Sequence, residues 1–194
     1  MTIMARLDDI TRRWSWAKLG LALTASFLLG AIGLTWATVL YVRSGFPPAL
    51  IEGQLAFDPH AYRAWYAVLI DKGTLPIYVR TQFVDYLFIA GLLATLFVVH
   101  LMIAKAQPKP RWRTLALTLA VLGPVIAASD AIENIVTLTM LSNPTGFAPW
   151  LGYLVSTISS VKWSWALIGC TLICVQIVAL AWFRRHRSTA GLKS

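Results

Sequence analysis

Charge is scarce in this sequence. Asp, Glu, Lys and Arg make up 13% of its 194 residues, and only eight are acidic. A soluble domain carries about 25% charged residues, so a water-facing fold is excluded, and the 58% hydrophobic content reads as a membrane protein. Cysteine is nearly absent too. Cys170 and Cys174 lie four apart in an apolar run, share a helix face and read as small buried hydrophobes. Neither a CxxC redox pair nor a zinc spacing occurs. The three histidines, His60, His100 and His186, are too scattered for a metal site, and a b-type haem would need a second histidine at the depth of His100. No metal and no cofactor is therefore expected. The net charge of +9 does not point to nucleic acid, because the basic residues sit at the ends of apolar runs rather than along one face.

What the chain does have is apolar length. Residues 1–18 form a basic flank with Arg6, Arg12, Arg13 and Lys18, after which residues 19–42 run 24 positions without a charge. A spanning helix needs about 20, and this run is too long for the apolar core of a secretory signal. Ser26, Gly30, Gly33 and Ala37 form a stripe of small residues on which another helix can pack closely. Further spans are predicted at 83–104, at 114–141 with a kink at Gly123-Pro124, and at 161–183. An apolar lead-in at 150–160 either lies in the interface or continues the last span as one tilted rod. The fold class is thus all-α: a polytopic membrane protein with four transmembrane helices in a single domain, residues 19–183.

Residues 43–82 make the one long connection. Pro47-Pro48 and Gly53 predict an irregular first part. Asp58-Pro59 then reads as an N-cap followed by proline at the first helical position. Tyr62, Trp65, Tyr66 and Leu69 recur at helical spacing, and Gly73 reads as the stop, so residues 59–72 are expected to form an interfacial helix on the membrane surface or over the bundle's outer mouth. The N-terminus, the loop at 105–113 and the basic tail at 184–194 hold twelve of the seventeen Lys and Arg. This bias predicts a bacterial inner-membrane protein with both termini cytoplasmic.

Against that background Asp85, Asp130, Glu133, Asn134 and Lys162 stand out. A charge at the centre of a membrane helix costs about 2.5–3.5 kcal/mol on insertion scales, so such side chains face a bundle interior or a polar cavity. Measured along each helix from its cytoplasmic end, Asp130 lies at about 22 Å, Glu133 at about 27 Å, Asp85 at about 28 Å and Lys162 at about 31 Å. All four reach one level, in the outer third of the bilayer. They are the ligand-binding candidates together with Asn134; Gln82 and Arg80 are secondary ones. Three carboxylates against one lysine leave a deficit that Arg80, a proton, a bound amine or another cation would balance.

The loop helix with its tyrosines, Tyr-Val-Arg-Thr-Gln-Phe-Val-Asp-Tyr-Leu-Phe at 78–88, Asp130-Ala-Ile-Glu133-Asn134 and Lys162-Trp163 together resemble a set of small four-span bacterial membrane proteins, over roughly residues 60–183. That resemblance implies the architecture and the weight of those positions, and supplies no activity. An intramembrane aspartyl protease is excluded by motif, since Asp85-Tyr86 reverses the Tyr-Asp order and Ser129 precedes Asp130. The expectation is a lipid-binding or small-ligand-binding accessory protein. A membrane-embedded acid/base enzyme acting on a lipid-like substrate is the alternative, with Glu133 or Asp130 as proton donor, Asn134 orienting substrate and Lys162 holding the second carboxylate ionised. A structural subunit whose polar set pins helix register, and a proton or ion path, also stay open. Expected partners are membrane lipid, a small ligand or cation, and a second membrane protein or another copy of this chain; nucleic acid is not among them.

Overall fold

The computed structural model describes residues 2–190, which form eight helices: α1 (Ile3–Arg13), α2 (Trp16–Ser44), α3 (Leu50–Gln54), α4 (Pro59–Asp71), α5 (Leu75–Ala106), α6 (Pro110–Leu122), α7 (Pro124–Leu141) and α8 (Pro149–Ala190). No strand occurs among the described residues. Proline stands in the first two positions of α4 to α8, where its missing N–H is one the helix start leaves unbonded anyway. At α7 the same residue follows α6 directly, so Pro124 breaks one span into two segments by removing a helical donor. With α6 and α7 counted as one, four helices are long and apolar enough to cross a membrane, and the chain is a multi-pass, all-α membrane protein.

These spans run up and down as a row. α2 packs along α5, α5 meets α6 and α7, and α7 packs on α8, while α2 and α8 form no comparable contact. The α2–α5 seam is the tightest. Gly30 and Gly91 lie backbone to backbone there, and Gly33 sits against the main chain of Leu87 and Phe88, leaving no room for a Cβ on Gly33 or Gly91. Ser26, Gly30, Gly33 and Ala37 are all buried in this seam.

Several boundaries differ from the sequence reading. α5 starts at Leu75, not at 83, because Arg80 breaks the run of apolar residues without breaking the helix; the long connection shrinks accordingly. Its first part is not wholly irregular but contains the single turn of α3. Of the two placements expected for α4, it takes the one over the mouth of the bundle: Tyr62, Tyr66 and Leu69 are buried and the helix plugs one end of the row. It is held there at both ends. Asp58 caps its start by accepting from the His60 amide at 2.8 Å. Gly73, at φ 67°, closes its end, with the Gly73 and Thr74 amides donating back to Ile70 and Leu69 carbonyls. The last span is one continuous rod from Pro149, without a separate lead-in. Cys170 and Cys174 are exposed, not buried, because they fall on the outer side of α8, whose inner side here carries Gly169, Ile173 and Gln176 against the bundle. The basic flank at 1–18 contains α1, which docks through Leu7 and Thr11. Of the expected basic tail, residues 191–194 lie outside the described residues.

Candidate functional site

Where α3 and α4 cap the row, a cavity of about 400 Å³ opens between α2 and α8. Its floor comes from α5, α7 and α8, its roof from α3 and α4. The buried face of α7 brings Ala127, Asp130, Glu133, Asn134 and Thr137 inward at helical spacing. On α8 the inward stripe is Val155, Ser156, Ser159 and Lys162. Asp85 descends from α5, on the side where Tyr78, Thr81 and Gln82 are buried.

All five primary candidates line this cavity, as does Gln82. They form two groups. Lys162 Nζ stands 2.8 Å from Asp130 Oδ1 and 2.7 Å from Glu133 Oε2, a buried ion triad joining α8 to α7. On the same face of α7, Asn134 Nδ2 donates to Asp85 Oδ2 at 2.8 Å and joins α7 to α5. Arg80 is the correction. It is exposed and takes no place in the cavity wall, since it falls on the outer side of α5 while Tyr78, Thr81 and Gln82 take the inner one. It therefore does not balance the carboxylates.

The structure adds residues that the sequence did not single out. Gln54, at the end of α3, donates to Glu133 Oε1 at 2.7 Å and accepts from the Trp163 indole at 3.0 Å. It closes the roof over the ion triad. Lys162 Nζ also lies 5.6 Å from the centre of the Trp163 ring, a cation–π distance. Above sits an aromatic wall: Phe46 stacks on Tyr78 with centroids 4.3 Å apart, and Tyr66 lies 6.2 Å from Tyr78. Tyr62 is fixed by donating to the Gly53 carbonyl at 2.6 Å, with Ser156 Oγ at 3.2 Å. Burial pushes the Tyr62 phenol up to about 12 and raises Tyr66 as well, so both remain protonated donors at neutral pH. A signal for Tyr78 was present, because Tyr78, Gln82 and Asp85 recur at i, i+4 and i+7, but Tyr78 and Gln82 fell upstream of the expected helix start at 83.

Four side chains in the wall have no protein partner. The Tyr66 and Tyr78 hydroxyls, the Gln82 side-chain amide and the Thr137 hydroxyl make no hydrogen bond with any described residue, although these residues are only 1%, 7%, 9% and 7% exposed and all line the cavity. Among the described residues no group of three or more His, Cys, Asp and Glu is arranged to hold a metal ion. Comparison with protein-family models, curated proteins and solved structures gives no match.

Proposed function

We propose that this chain is a bacterial inner-membrane protein, with both termini cytoplasmic, that binds a lipid or small ligand in the cavity beneath α3 and α4. The observation that carries this reading is the set of four buried side chains, Tyr66, Tyr78, Gln82 and Thr137, whose polar groups line a space large enough for a ligand and find no partner in the protein. Their polar atoms stay open to the cavity rather than sealed in the protein, and a molecule that offers them partners would displace water from all four at once. The volume falls within the range of about 300–1,000 Å³ usual for small-molecule sites. Entry is sideways. Leu34 of α2, Leu50 of α3 and Trp163 of α8 are exposed and line the cavity too, so its mouth opens between helices, where an apolar tail can extend into lipid. The positive-inside bias of the termini supports placing this mouth in the outer leaflet.

Native mass spectrometry of protein extracted gently from its own membrane tests the reading. A stoichiometric adduct is expected on the wild type and absent from Gln82→Leu combined with Thr137→Val. Bare wild-type protein would count against a binding role. The membrane-embedded acid/base enzyme is the second reading, favoured by one observation: Asp85 is held by a neutral amide while Asp130 and Glu133 share Lys162, which gives two carboxylate environments in one site. Chemical conversion of the extracted ligand on incubation would move the assignment there.

A further inference from the structure

The charge in the cavity wall points to the kind of ligand, on the footing of the binding reading above. The Lys162 ammonium is shared between Asp130 and Glu133, so its charge is already opposed by two carboxylates. Glu133 is paired with Lys162 through Oε2 and accepts from Gln54 on Oε1. Asp85 is different. Its hydrogen-bond donor is the Asn134 amide, which brings no charge, and its Oδ1 has no hydrogen-bond partner among the described residues. Asp130 likewise uses only Oδ1 and leaves Oδ2 open. Two carboxylate oxygens, one on α5 and one on the neighbouring α7, thus line the cavity without donors, in a wall that also holds the unbonded hydroxyl of Tyr78.

We propose that the cavity takes a protonated amine carried on an apolar group. An ammonium N–H donates to Asp85 Oδ1 and a second to Asp130 Oδ2. A neutral alcohol meets the hydrogen bonds but leaves the carboxylate excess unbalanced, and an anion adds to it. A quaternary ammonium fits less well, because it has no N–H for the open acceptors. The apolar part lies toward Leu92 and Ile126 and leaves through the mouth beside Trp163. Either the headgroup of an aminophospholipid or a free alkylamine carries this chemistry.

The test uses the full chain in neutral detergent and three probes with the same tail: n-octylammonium, n-octanol and n-octanoate. Binding is followed by native mass spectrometry. Octylammonium is expected to bind at least about tenfold more tightly than octanol, with octanoate weakest, and Asp85→Asn to erase that preference. Where phosphatidylethanolamine added to the same micelles competes with octylammonium, the lipid headgroup is the source; where it does not, a free amine is. Equal binding of the three probes would overturn the amine proposal and leave the cavity as a site for an apolar tail. No binding of any probe, with helicity intact by circular dichroism, would overturn the binding reading as well. Should Asp85→Asn fail to fold, the order of the probes on wild type alone decides.

Discussion

Along α2 and α5 the contact is backbone against backbone; along α7 and α8 it is charge against charge. The first seam is made of absences, since Gly30, Gly33 and Gly91 supply no side chain and let the helices touch. Its energy is van der Waals contact spread over the full length of two helices. The second is concentrated at one level, where Lys162 meets Asp130 and Glu133. Neither seam holds the cavity, which opens between the two pairs of helices and takes its apolar wall from α2 and its charged wall from α7 and α8, with α5 contributing to both.

The sharpest way to break the comparison is to remove the lysine. Lys162→Met leaves two buried carboxylates facing each other and is expected to cost about 3–5 kcal/mol. Neutralising the whole triad, with Asp130→Asn and Glu133→Gln added, is expected to restore most of that, because the uncompensated charge is gone. Thermal unfolding in detergent measures both; equal losses for the single and triple variants would show that the seam depends on shape and not on charge. Next comes the glycine seam. Gly91→Ala forces apart the backbones of α2 and α5 and is expected to cost about 1–3 kcal/mol. Gly20→Ala in the same pair of helices meets open space and is expected to gain about 0.8–1.0 kcal/mol of helix propensity. If both changes behave alike, close packing is not what holds this seam.

Smaller effects sharpen the polar side. Gln54→Leu deprives Glu133 Oε1 and the Trp163 indole of their partner. A loss of about 1–3 kcal/mol is expected, with a blue or red shift in tryptophan emission reporting the freed indole. The smallest effect belongs to the opposite end of the molecule, where Asp8 of α1 lies 2.5 Å from Arg113 and 2.8 Å from Arg12. Burial works upward on the Asp8 carboxyl, but hydrogen bonds from Arg113 and Arg12 outweigh it and hold the group below the usual carboxylate range. A group depressed on folding contributes stability above its unfolded pKa, about 3.9, and loses it as pH falls through the lower folded value. Lower amide protection in α1, relative to intrinsic exchange at the same pH, is therefore expected below about pH 4, with α5 unchanged; protection constant across pH would remove Asp8 from the docking of α1.

The two seams also differ in how far they could be read from the chain. The small stripe of α2 and the polar stripe of α7 were legible because helical spacing alone decides which residues share a face, and length alone decides how deep each one lies. That is why Asp130, Glu133, Asn134, Lys162 and Asp85 come to one level. The partner surfaces were not legible. Nothing local in Gln54 says that it ends a single-turn helix and reaches 79 positions along the chain to Glu133. The tyrosines at 62 and 66 were visible as an apolar face, yet the same face suits a membrane surface and a plug over a cavity, and only packing separates the two. Arg80 failed for a related reason: nearness in sequence to Asp85 says nothing of which side of the helix it takes.

Asp130 and Lys162 stand 32 residues apart, acid first. A chain leaves the ribosome from its N-terminus, so the helix bearing two carboxylates is made before its counter-ion exists. Left alone in the translocation channel it is a poor candidate for release into lipid. Its partner arrives only with the next helix, and the two become insertable as a hairpin joined by residues 142–148. Where the lysine stands therefore sets the timetable of biogenesis: the acidic helix waits for translation to reach it.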